Sequence, residues 1–469
     1  MTTKAAATSP AGAPLAMKFD RGTILFEYRD DLASVVARLP GVLWDARVKA
    51  FRAPAYRHES LQRDLTAQAI AVESRVQALL PATAGWADSS LRPYQAEALA
   101  AWERACARGL VVLPTGSGKT RVAIGAMAQT KLSTLCLVPT RVLLDQWHAA
   151  LGVAYPKTIG RLGDGHHELA QVTISTFESA FRQMPQIGNR FGLLVVDEAH
   201  HFGNGLRDEA LEMCTAPARL GLTATPSASM ERLSELIGGV VYGLAIGDLA
   251  GGFLSDFETV VMNLDLDPGE RRAYEAELNT FRNYRSLSER SMPGATWEEF
   301  ARGAARTDEG RRALAAWRSL RRRIAFTKAK AEAVSTLLSR HRDARVIVFT
   351  ADNETAYAVA RRHLIMPITC HIGRRERETA LTRFRSGELR ALVSARVLNE
   401  GLDVPDAEVA IVVGGTLGNR EHVQRVGRLL RPAPGKRARV YELVSRGTIE
   451  VRQAERRREA LGSPTAAAL

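Results

Sequence analysis

Residues 109–120 combine a short apolar run, a turn with two glycines and a Lys-Thr pair. Backbone N–H groups in such a turn can close on an anion, and a predicted helix over residues 121–129 adds its positive end. Lys119 can then reach the β- and γ-phosphates of a nucleoside triphosphate, while the Thr120 hydroxyl ligates Mg²⁺. Leu113 stands where the general pattern has glycine, but the order of strand, turn and helix favours a phosphate loop over an ordinary surface loop. The residues predicted to bind nucleotide here are Thr115, Gly116, Ser117, Gly118, Lys119 and Thr120.

Two adjacent carboxylates follow another apolar run about eighty residues further along the chain. Asp197 and Glu198 come directly after residues 193–196, whose sequence Leu-Leu-Val-Val predicts a buried strand. Asp197 is predicted to hold Mg²⁺ together with Thr120, mostly through water. Glu198 is predicted to orient and deprotonate an attacking water molecule. His200 is predicted to link this site to the segment that follows.

Gln95 precedes the phosphate loop by some twenty residues, at the end of the sequence Leu-Arg-Pro-Tyr-Gln. A glutamine amide can donate and accept hydrogen bonds at once, which suits the edge of an adenine ring. Its place before a phosphate loop therefore predicts a contact to the base of the nucleotide.

Hydroxyl and basic side chains end several other predicted strands. Ligands of open α/β sheets lie beyond the carboxyl ends of the strands, so these side chains are predicted to hold a phosphodiester backbone. Helix capping is an alternative role for the hydroxyl groups, and the two roles can coexist. The predicted backbone contacts are Thr140, Arg141, Ser175, Thr176, Thr350 and Ser394.

The phosphate loop, the Asp-Glu-Ala-His sequence at 197–200 and the Thr-Ala-Thr sequence at 223–225 resemble the motor of superfamily 2 helicases. Residues 424–432 resemble the arginine-finger motif of that superfamily. The resemblance implies that Arg428 and Arg431 are arginine fingers, that Gln424 lines the nucleotide cleft and that Asp403 lies near the ribose. It also implies ATP and Mg²⁺ as the cofactors. A salt-bridged surface helix would not explain the spacing of Gln424 and Gly427.

Several shorter sequence motifs occur along the chain in an order similar to that in the XPB (xeroderma pigmentosum group B) branch, in its short archaeal and bacterial form. These short motifs lie at residues 187–191, 248–251, 323–326 and 442–448. The resemblance implies an α/β fold with two RecA-like parallel-sheet domains, a small N-terminal α+β domain and an inserted helical thumb. The implied boundaries are a disordered tail at 1–16, a damage-recognition-like domain at 17–84, motor domain 1 at 85–245, motor domain 2 at 246–450 with the thumb at 268–328, and a C-terminal tail at 451–469.

Charge and composition point to a polyanionic partner. The 469 residues have a net charge of +13, and residues 270–330 hold fifteen arginines and lysines against eight carboxylates. We therefore predict DNA as the partner, gripped in part by the thumb. Basic residues interleaved with Trp44, Phe51 and Tyr56 predict either a second DNA contact or a solvated face. The apolar runs are too short to cross a membrane, the four cysteines lack paired spacing, and the N-terminus lacks a signal peptide, which together predict a cytoplasmic protein.

The predicted function is a DNA-dependent ATPase that translocates along DNA, by resemblance in the 3′→5′ direction, and unwinds duplex in DNA repair with a nuclease or repair partner. The XPB branch usually has an Arg-Glu-Asp element shortly after Thr-Ala-Thr, and this chain lacks it. The alternative is therefore a double-stranded DNA translocase without strand separation, such as a restriction-type or remodelling motor. An RNA helicase and a nucleotide-gated binding clamp fit the motifs and the charged segment less well.

Overall fold

The computed structural model describes residues 14–87, 90–205, 207–225, 230–249, 253, 256–395, 407–414, 437–461 and 466–468. The chain divides into two compact units, one of Met1–Leu113 with Gly118–Leu244 and one of Pro114–Ser117 with Ala245–Leu469. Across the described ranges, no helix combines the length and apolar character that a bilayer crossing requires.

A small mixed sheet begins the first unit. It contains strands β1 (Leu15–Asp20), β2 (Thr23–Phe26), β3 (Leu43–Asp45), β4 (Ala50–Pro54) and β5 (Val72–Arg75), with helices α1 (Ala33–Val36) and α2 (His58–Ala67). The strand order is β3-β4-β2-β1-β5, and only the β1–β5 pair is parallel. Alternate apolar residues of the strands form a core with α2. Helix α1 is only four residues long, because no side chain caps it and Pro40 prevents its continuation.

This small sheet is fixed to the rest of the first unit by hydrogen bonds to Glu235. The Tyr56 hydroxyl donates to Glu235 Oε1 at 2.6 Å, and Arg57 Nη2 donates to the same oxygen at 2.7 Å. Arg57, a basic residue next to Tyr56, therefore serves this junction. Trp44 remains about half exposed and packs edge-on against Phe51 at a centroid distance of 5.0 Å.

The larger sheet of the first unit has eight strands in the order β13-β6-β12-β11-β7-β10-β8-β9. The strands are β6 (Arg108–Val112), β7 (Thr134–Val138), β8 (Ile159–Gly163), β9 (His166–Glu168), β10 (Val172–Thr176), β11 (Leu193–Asp197), β12 (Ala218–Thr223) and β13 (Val240–Gly243). The helices are α3 (Pro93–Arg104), α4 (Lys119–Thr130), α5 (Arg141–Ala154), α6 (Phe177–Ile187), α7 (Glu209–Glu212) and α8 (Met230–Leu236). All pairs are parallel except β8–β9, so the loops that follow β6, β7, β10 and β11 meet at one edge.

The second unit contains a seven-stranded sheet in the order β16-β17-β15-β18-β19-β14-β20. The strands are β14 (Asp256–Leu264), β15 (Val346–Phe349), β16 (Met366–Ile368), β17 (Ala391–Ser394), β18 (Val409–Val412), β19 (Arg437–Ser445) and β20 (Ala466–Ala468). The helices are α9 (Ile246–Leu249), α10 (Pro268–Ser291), α11 (Trp297–Ala304), α12 (Asp308–Ala325), α13 (Lys328–Arg340), α14 (Asn353–His363), α15 (Arg374–Arg385) and α16 (Glu450–Leu461). Every described pair in this sheet is parallel. Two parallel sheets, a small N-terminal sheet and inserted helices confirm the predicted fold class.

Helices α10, α11 and α12 lie between β14 and α13, within the range predicted for the thumb, and we refer to them as the thumb. Capping boxes define where two of them begin: Asp267 with Glu270 starts α10, and Thr296 with Glu299 starts α11. An aromatic core joins the helices, with Phe281 stacked on Trp317 at a centroid distance of 4.5 Å. The thumb is therefore an ordered helical insert with its own small core.

The C-terminal helix α16 is anchored to the second sheet, whereas the sequence predicted a tail from residue 451. Glu450 at its start forms a buried ion pair with Lys330 at 2.8 Å, and Arg457 forms one with Glu442 of β19 at 2.5 Å. Ala454 between them lies in the core. Helix α16 is thus part of the second unit, because paired charges and an apolar face fix it there.

Candidate nucleotide site

The loop between β6 and α4 has the backbone geometry that the sequence predicted. Gly116 and Gly118 have φ values of 86° and 81°, a left-handed conformation that glycine adopts readily. Helix α4 begins directly at Lys119, whose Nζ donates to the carbonyl oxygen of Leu113 at 3.1 Å. The Thr115 hydroxyl is buried without a hydrogen-bond partner. A buried hydroxyl without a hydrogen-bond partner among the described residues and a lysine that donates to a carbonyl oxygen are both suited to phosphate oxygens.

Gln95 lies against this loop. Its side-chain oxygen accepts the backbone N–H of Arg92 at 2.9 Å and caps helix α3, while its Nε2 lies 3.5 Å from the carbonyl oxygen of Gly118. A Cβ atom at position 118 would stand 2.6 Å from Gln95 Nε2, and the left-handed φ of 81° favours glycine there in any case. The structure therefore gives Gln95 a role in holding the loop. Its predicted contact to adenine stays a prediction.

Asp197 ends strand β11 as a buried carboxylate with defined partners. The Trp147 indole N–H donates to Asp197 Oδ2 at 2.8 Å, and the backbone N–H of Glu198 donates to Oδ1 at 2.9 Å. The pKa of Asp197 is raised to about 6, chiefly by burial and then by the nearby Glu198 carboxylate, against the smaller lowering effects of Lys119 and of the hydrogen bond from Trp147. Trp147, on helix α5, was missed at the sequence level because nothing local to it indicates a partner fifty residues away.

The raised pKa of Asp197 predicts a titration that can be observed in the free protein. Asp197 should gain a proton as the pH falls through about 6, which changes the hydrogen bond to Trp147 and hence its fluorescence. Added Mg·ATP should move the midpoint to lower pH, because the metal binds only the ionised carboxylate. The measurement is the difference in fluorescence between the wild type and Trp147→Phe from pH 5 to pH 8. A wild-type step that survives in Asp197→Asn would contradict the assignment.

Glu198, His200 and Thr223 form a relay of polar contacts, in which the Glu198–His200 step is a close contact and the His200–Thr223 step is a hydrogen bond. Glu198 has a φ of 50°, a conformation that costs a non-glycine residue about 1–2 kcal/mol and is often found at functional sites. Its Oε2 lies 3.3 Å from His200 Nδ1, which lies 3.0 Å from Thr223 Oγ1. Because Thr223 donates its own proton to Thr225 O at 2.7 Å, the imidazole Nδ1–H is the donor to Thr223. His200 therefore lies between Glu198 and Thr223, and its linking role stays a prediction.

The residues at this edge of the sheet fit Mg·ATP. Within the described residues, no cluster of three or more His, Cys, Asp or Glu side chains could hold a metal ion by itself. A single carboxylate with a hydroxyl is the arrangement expected for Mg²⁺, which takes most of its other ligands from phosphate and water. Asp197 and Thr120 would hold the ion, and the orphaned Thr115 hydroxyl and the loop N–H groups would meet the phosphates.

The residues predicted to hold a phosphodiester backbone fall into two groups. Thr140 and Thr176 accept backbone N–H groups at 3.3 Å and cap helices α5 and α6, while Arg141 is exposed and paired with Asp164 at 2.8 Å. These three lie at the carboxyl ends of the adjacent strands β7 and β10. The other hydroxyls are sealed from solvent and donate to carbonyl oxygens: Ser175 to Thr176 at 3.0 Å, Thr350 to Asp352 at 2.9 Å and Ser394 to Ile368 at 3.1 Å. The structure gives no support for phosphate contacts from these buried hydroxyls.

Four predicted site residues, Asp403, Gln424, Arg428 and Arg431, lie outside the described residues.

Three family models match the chain. The xeroderma pigmentosum group B helicase damage recognition domain matches residues 17–76. The type III restriction enzyme res subunit matches residues 88–228, and the helicase conserved C-terminal domain matches residues 329–433. The three matches follow one another along the chain in the order of the small sheet, the first large sheet and the second.

Individual relatives agree with these matches. The chain is 34% identical over 429 residues to the DNA 3′-5′ translocase XPB2 of Sulfurisphaera tokodaii, covering 90% of this chain and 97% of that protein. It is 30% identical over 395 residues to the DNA 3′-5′ helicase XPB of Kineococcus radiotolerans, covering 80% of this chain and 63% of that protein. The solved helicase domain of Pyrococcus furiosus Hef shares the fold, with a TM-score of 0.51 and 18% identity over 78% of this chain and 97% of that one. The chain therefore belongs to the XPB family of superfamily 2 helicases.

Proposed function

We propose that this protein is an ATP-dependent DNA translocase that moves 3′→5′ and takes part in DNA repair. The observation that carries the proposal is the carboxylate pair at the end of β11, with Asp197 held by Trp147 and Glu198 joined through His200 to Thr223. The polarity follows from the names of the relatives in Sulfurisphaera tokodaii and Kineococcus radiotolerans. The net charge of +13 favours DNA as the track.

Each residue of the site has a proposed task in ATP hydrolysis. Lys119 and the loop N–H groups hold the β- and γ-phosphates, and Thr120 with Asp197 holds Mg²⁺, which would neutralise phosphate charge when bound. Glu198 takes a proton from the attacking water as its oxygen bonds to the γ-phosphorus and the bond to the β-phosphate oxygen breaks. Further contacts carried over from the family motifs are Gln95 to adenine, Asp403 to ribose, Gln424 to the cleft, and Arg428 and Arg431 to the transferring phosphoryl group.

The relay through His200 connects ATP hydrolysis at Glu198 to residues outside the nucleotide site. When Glu198 gains the proton of the attacking water, its contact with His200 changes, and His200 in turn donates to Thr223. Thr223 lies at the end of β12, before the segment that leads to α8 and its junction with the small sheet. We propose that the phosphate state is passed along this route as a change in hydrogen bonding.

Displacement of a third DNA strand tests directed movement. The full-length protein should release a triplex-forming strand from duplex DNA in the presence of Mg·ATP. With a single-stranded entry site, release should depend on a 3′ tail on the tracking strand. Release that does not require ATP hydrolysis, or that is equally fast from a 5′ tail, would contradict the proposal.

A translocase that does not separate strands is the second candidate. Two observations favour it: the Sulfurisphaera tokodaii relative is named a translocase, and this chain lacks the Arg-Glu-Asp element after Thr225. Triplex displacement without unwinding of a forked duplex would support this candidate, and efficient unwinding of the fork would exclude it.

A further inference from the structure

The carboxylate of Asp197 is held by two N–H donors, one on each oxygen. The Trp147 indole donates to Oδ2 at 2.8 Å, and the backbone N–H of Glu198 donates to Oδ1 at 2.9 Å. Among the described residues, Trp147 is the only one whose side chain hydrogen-bonds to this carboxylate. A donor on each oxygen fixes the plane of the carboxylate, whereas a single donor would leave it free to turn about its Cβ–Cγ bond.

Helix α5 holds the indole in place. Leu144, Trp147 and Leu151 follow one another at intervals of three and four residues and are all buried, so they form the inward face of the helix. An ion pair between Asp145 of α5 and Arg161 of β8 ties the helix to the neighbouring sheet. The position of the indole N–H is therefore fixed by the packing of the first unit.

A buried indole needs an acceptor, and that need alone is a simpler explanation of the hydrogen bond. Trp102 shows how the same need is met elsewhere in the first unit. It is fully buried, and its indole donates at 2.9 Å to the carbonyl oxygen of Arg219. A backbone carbonyl is thus sufficient for an indole in this fold. Trp147 donates instead to a carboxylate beside the phosphate loop, and hydrogen-bond partners of this kind orient the ligands of metal ions.

We propose that Trp147 is a positioning residue for Mg²⁺, because its indole holds the Asp197 carboxylate in one orientation and thereby sets the preference of the site for Mg²⁺ over Ca²⁺. The proposal rests on the proposed role of Asp197 in binding Mg·ATP. Mg²⁺ requires near-ideal octahedral geometry, whereas Ca²⁺ accepts flexible geometry and either one or both oxygens of a carboxylate. A carboxylate that turns freely therefore loses more affinity for Mg²⁺ than for Ca²⁺.

The test compares Trp147→Phe with Trp102→Phe, since each variant removes one buried indole N–H from the same unit. The affinity of each full-length protein for ATP is measured in EDTA, with Mg²⁺ and with Ca²⁺. All measurements are made at pH 8.5, well above the pKa of about 6 for Asp197, so that the carboxylate is ionised. The informative quantity is the metal gain, which is the ratio of the ATP dissociation constant in EDTA to that with the metal.

We expect the Mg²⁺ gain of Trp147→Phe to fall by about 10–100-fold, the usual effect of removing the partner of a metal ligand. Its Ca²⁺ gain should fall much less, because Ca²⁺ tolerates a carboxylate that turns. Its affinity for ATP in EDTA should match the wild type, since Lys119 and the phosphate loop are unchanged. Trp102→Phe should keep both metal gains of the wild type.

The possible outcomes separate this proposal from the proposed function. If the Mg²⁺ gain of Trp147→Phe were unchanged, or fell only as far as its Ca²⁺ gain, Trp147 would not position the carboxylate for Mg²⁺. A wild type that binds ATP no more tightly with Mg²⁺ than in EDTA would instead overturn the proposed role of Asp197. Should Trp147→Phe fail to fold, a tryptophan analogue with sulfur in place of the indole N–H, introduced at position 147, fills the same space and gives the same comparison.

Discussion

Replacing Glu198 by glutamine is expected to lower DNA-stimulated ATP turnover by about 10²–10⁴-fold, the usual contribution of a general base. The amide has nearly the same shape but cannot accept the proton of the attacking water. Asp197, Trp147 and Lys119 are unchanged in this variant, so Mg·ATP should still bind. The measurement pairs steady-state turnover with the affinity for Mg·ATP, which should stay within a few-fold of the wild type.

Glu168→Gln is a suitable control for this variant. Glu168 is an exposed carboxylate on β9 of the same sheet, and its side chain has no ion pair in the described structure. Its loss should leave turnover unchanged. If Glu198→Gln kept turnover within tenfold of the wild type, Glu198 would not be the general base, and the relay to His200 would need another explanation.

The buried pair of Lys330 and Glu450 predicts the largest effect on stability. Glu450→Gln should lower the free energy of unfolding of the second unit by about 3–5 kcal/mol, because it leaves a buried ammonium group without its counterion. Lys330 is fully buried and donates to both Glu450 oxygens at 2.8 Å, and Glu450 Oε2 also accepts the N–H of Ser445 at 2.9 Å. One substitution therefore disturbs the contact of α16 with both α13 and β19.

Hydrogen exchange of the β19 amides in the full-length protein measures this effect within the second unit alone. Asp265→Asn is the matched control, since Asp265 pairs with Arg446 at 3.2 Å on the surface, and exposed pairs contribute about 0–1 kcal/mol. The double variant Lys330→Met/Glu450→Leu should recover part of the loss, because it removes both charges together. Equal exchange rates in Glu450→Gln and Asp265→Asn would show that the buried pair does not stabilise α16.

Residues whose role depends on local sequence were predictable. The apolar runs before Asp197 and before the phosphate loop predicted buried parallel strands, and the glycines between β6 and α4 predicted a turn that the structure contains at Gly116 and Gly118. Both features arise within about ten residues of chain. The run of apolar residues is sufficient to predict each strand, and the lack of a side chain on glycine is sufficient to predict the turn.

Residues whose role depends on distant partners were not predictable. Trp147 meets Asp197 only because β7 and β11 are neighbours in the sheet, and Lys330 meets Glu450 across 120 residues. Thr350 and Ser394 show the converse. Each lies at the end of a strand as expected, but strand pairing buries its side chain, and its hydroxyl donates a hydrogen bond to a carbonyl oxygen. The thumb arginines were countable from the sequence, but which of them form ion pairs depends on how α12 packs, as the pair of Arg323 with Glu277 shows.

ATP turnover with and without DNA, in the wild type and in Lys119→Ala, tests the central claim most directly. The wild type should hydrolyse Mg·ATP slowly alone and much faster with DNA, and Lys119→Ala should lose turnover in both conditions because the β- and γ-phosphates lose their cation. Full DNA-stimulated turnover in Lys119→Ala would contradict the claim that ATP is bound and hydrolysed at this loop.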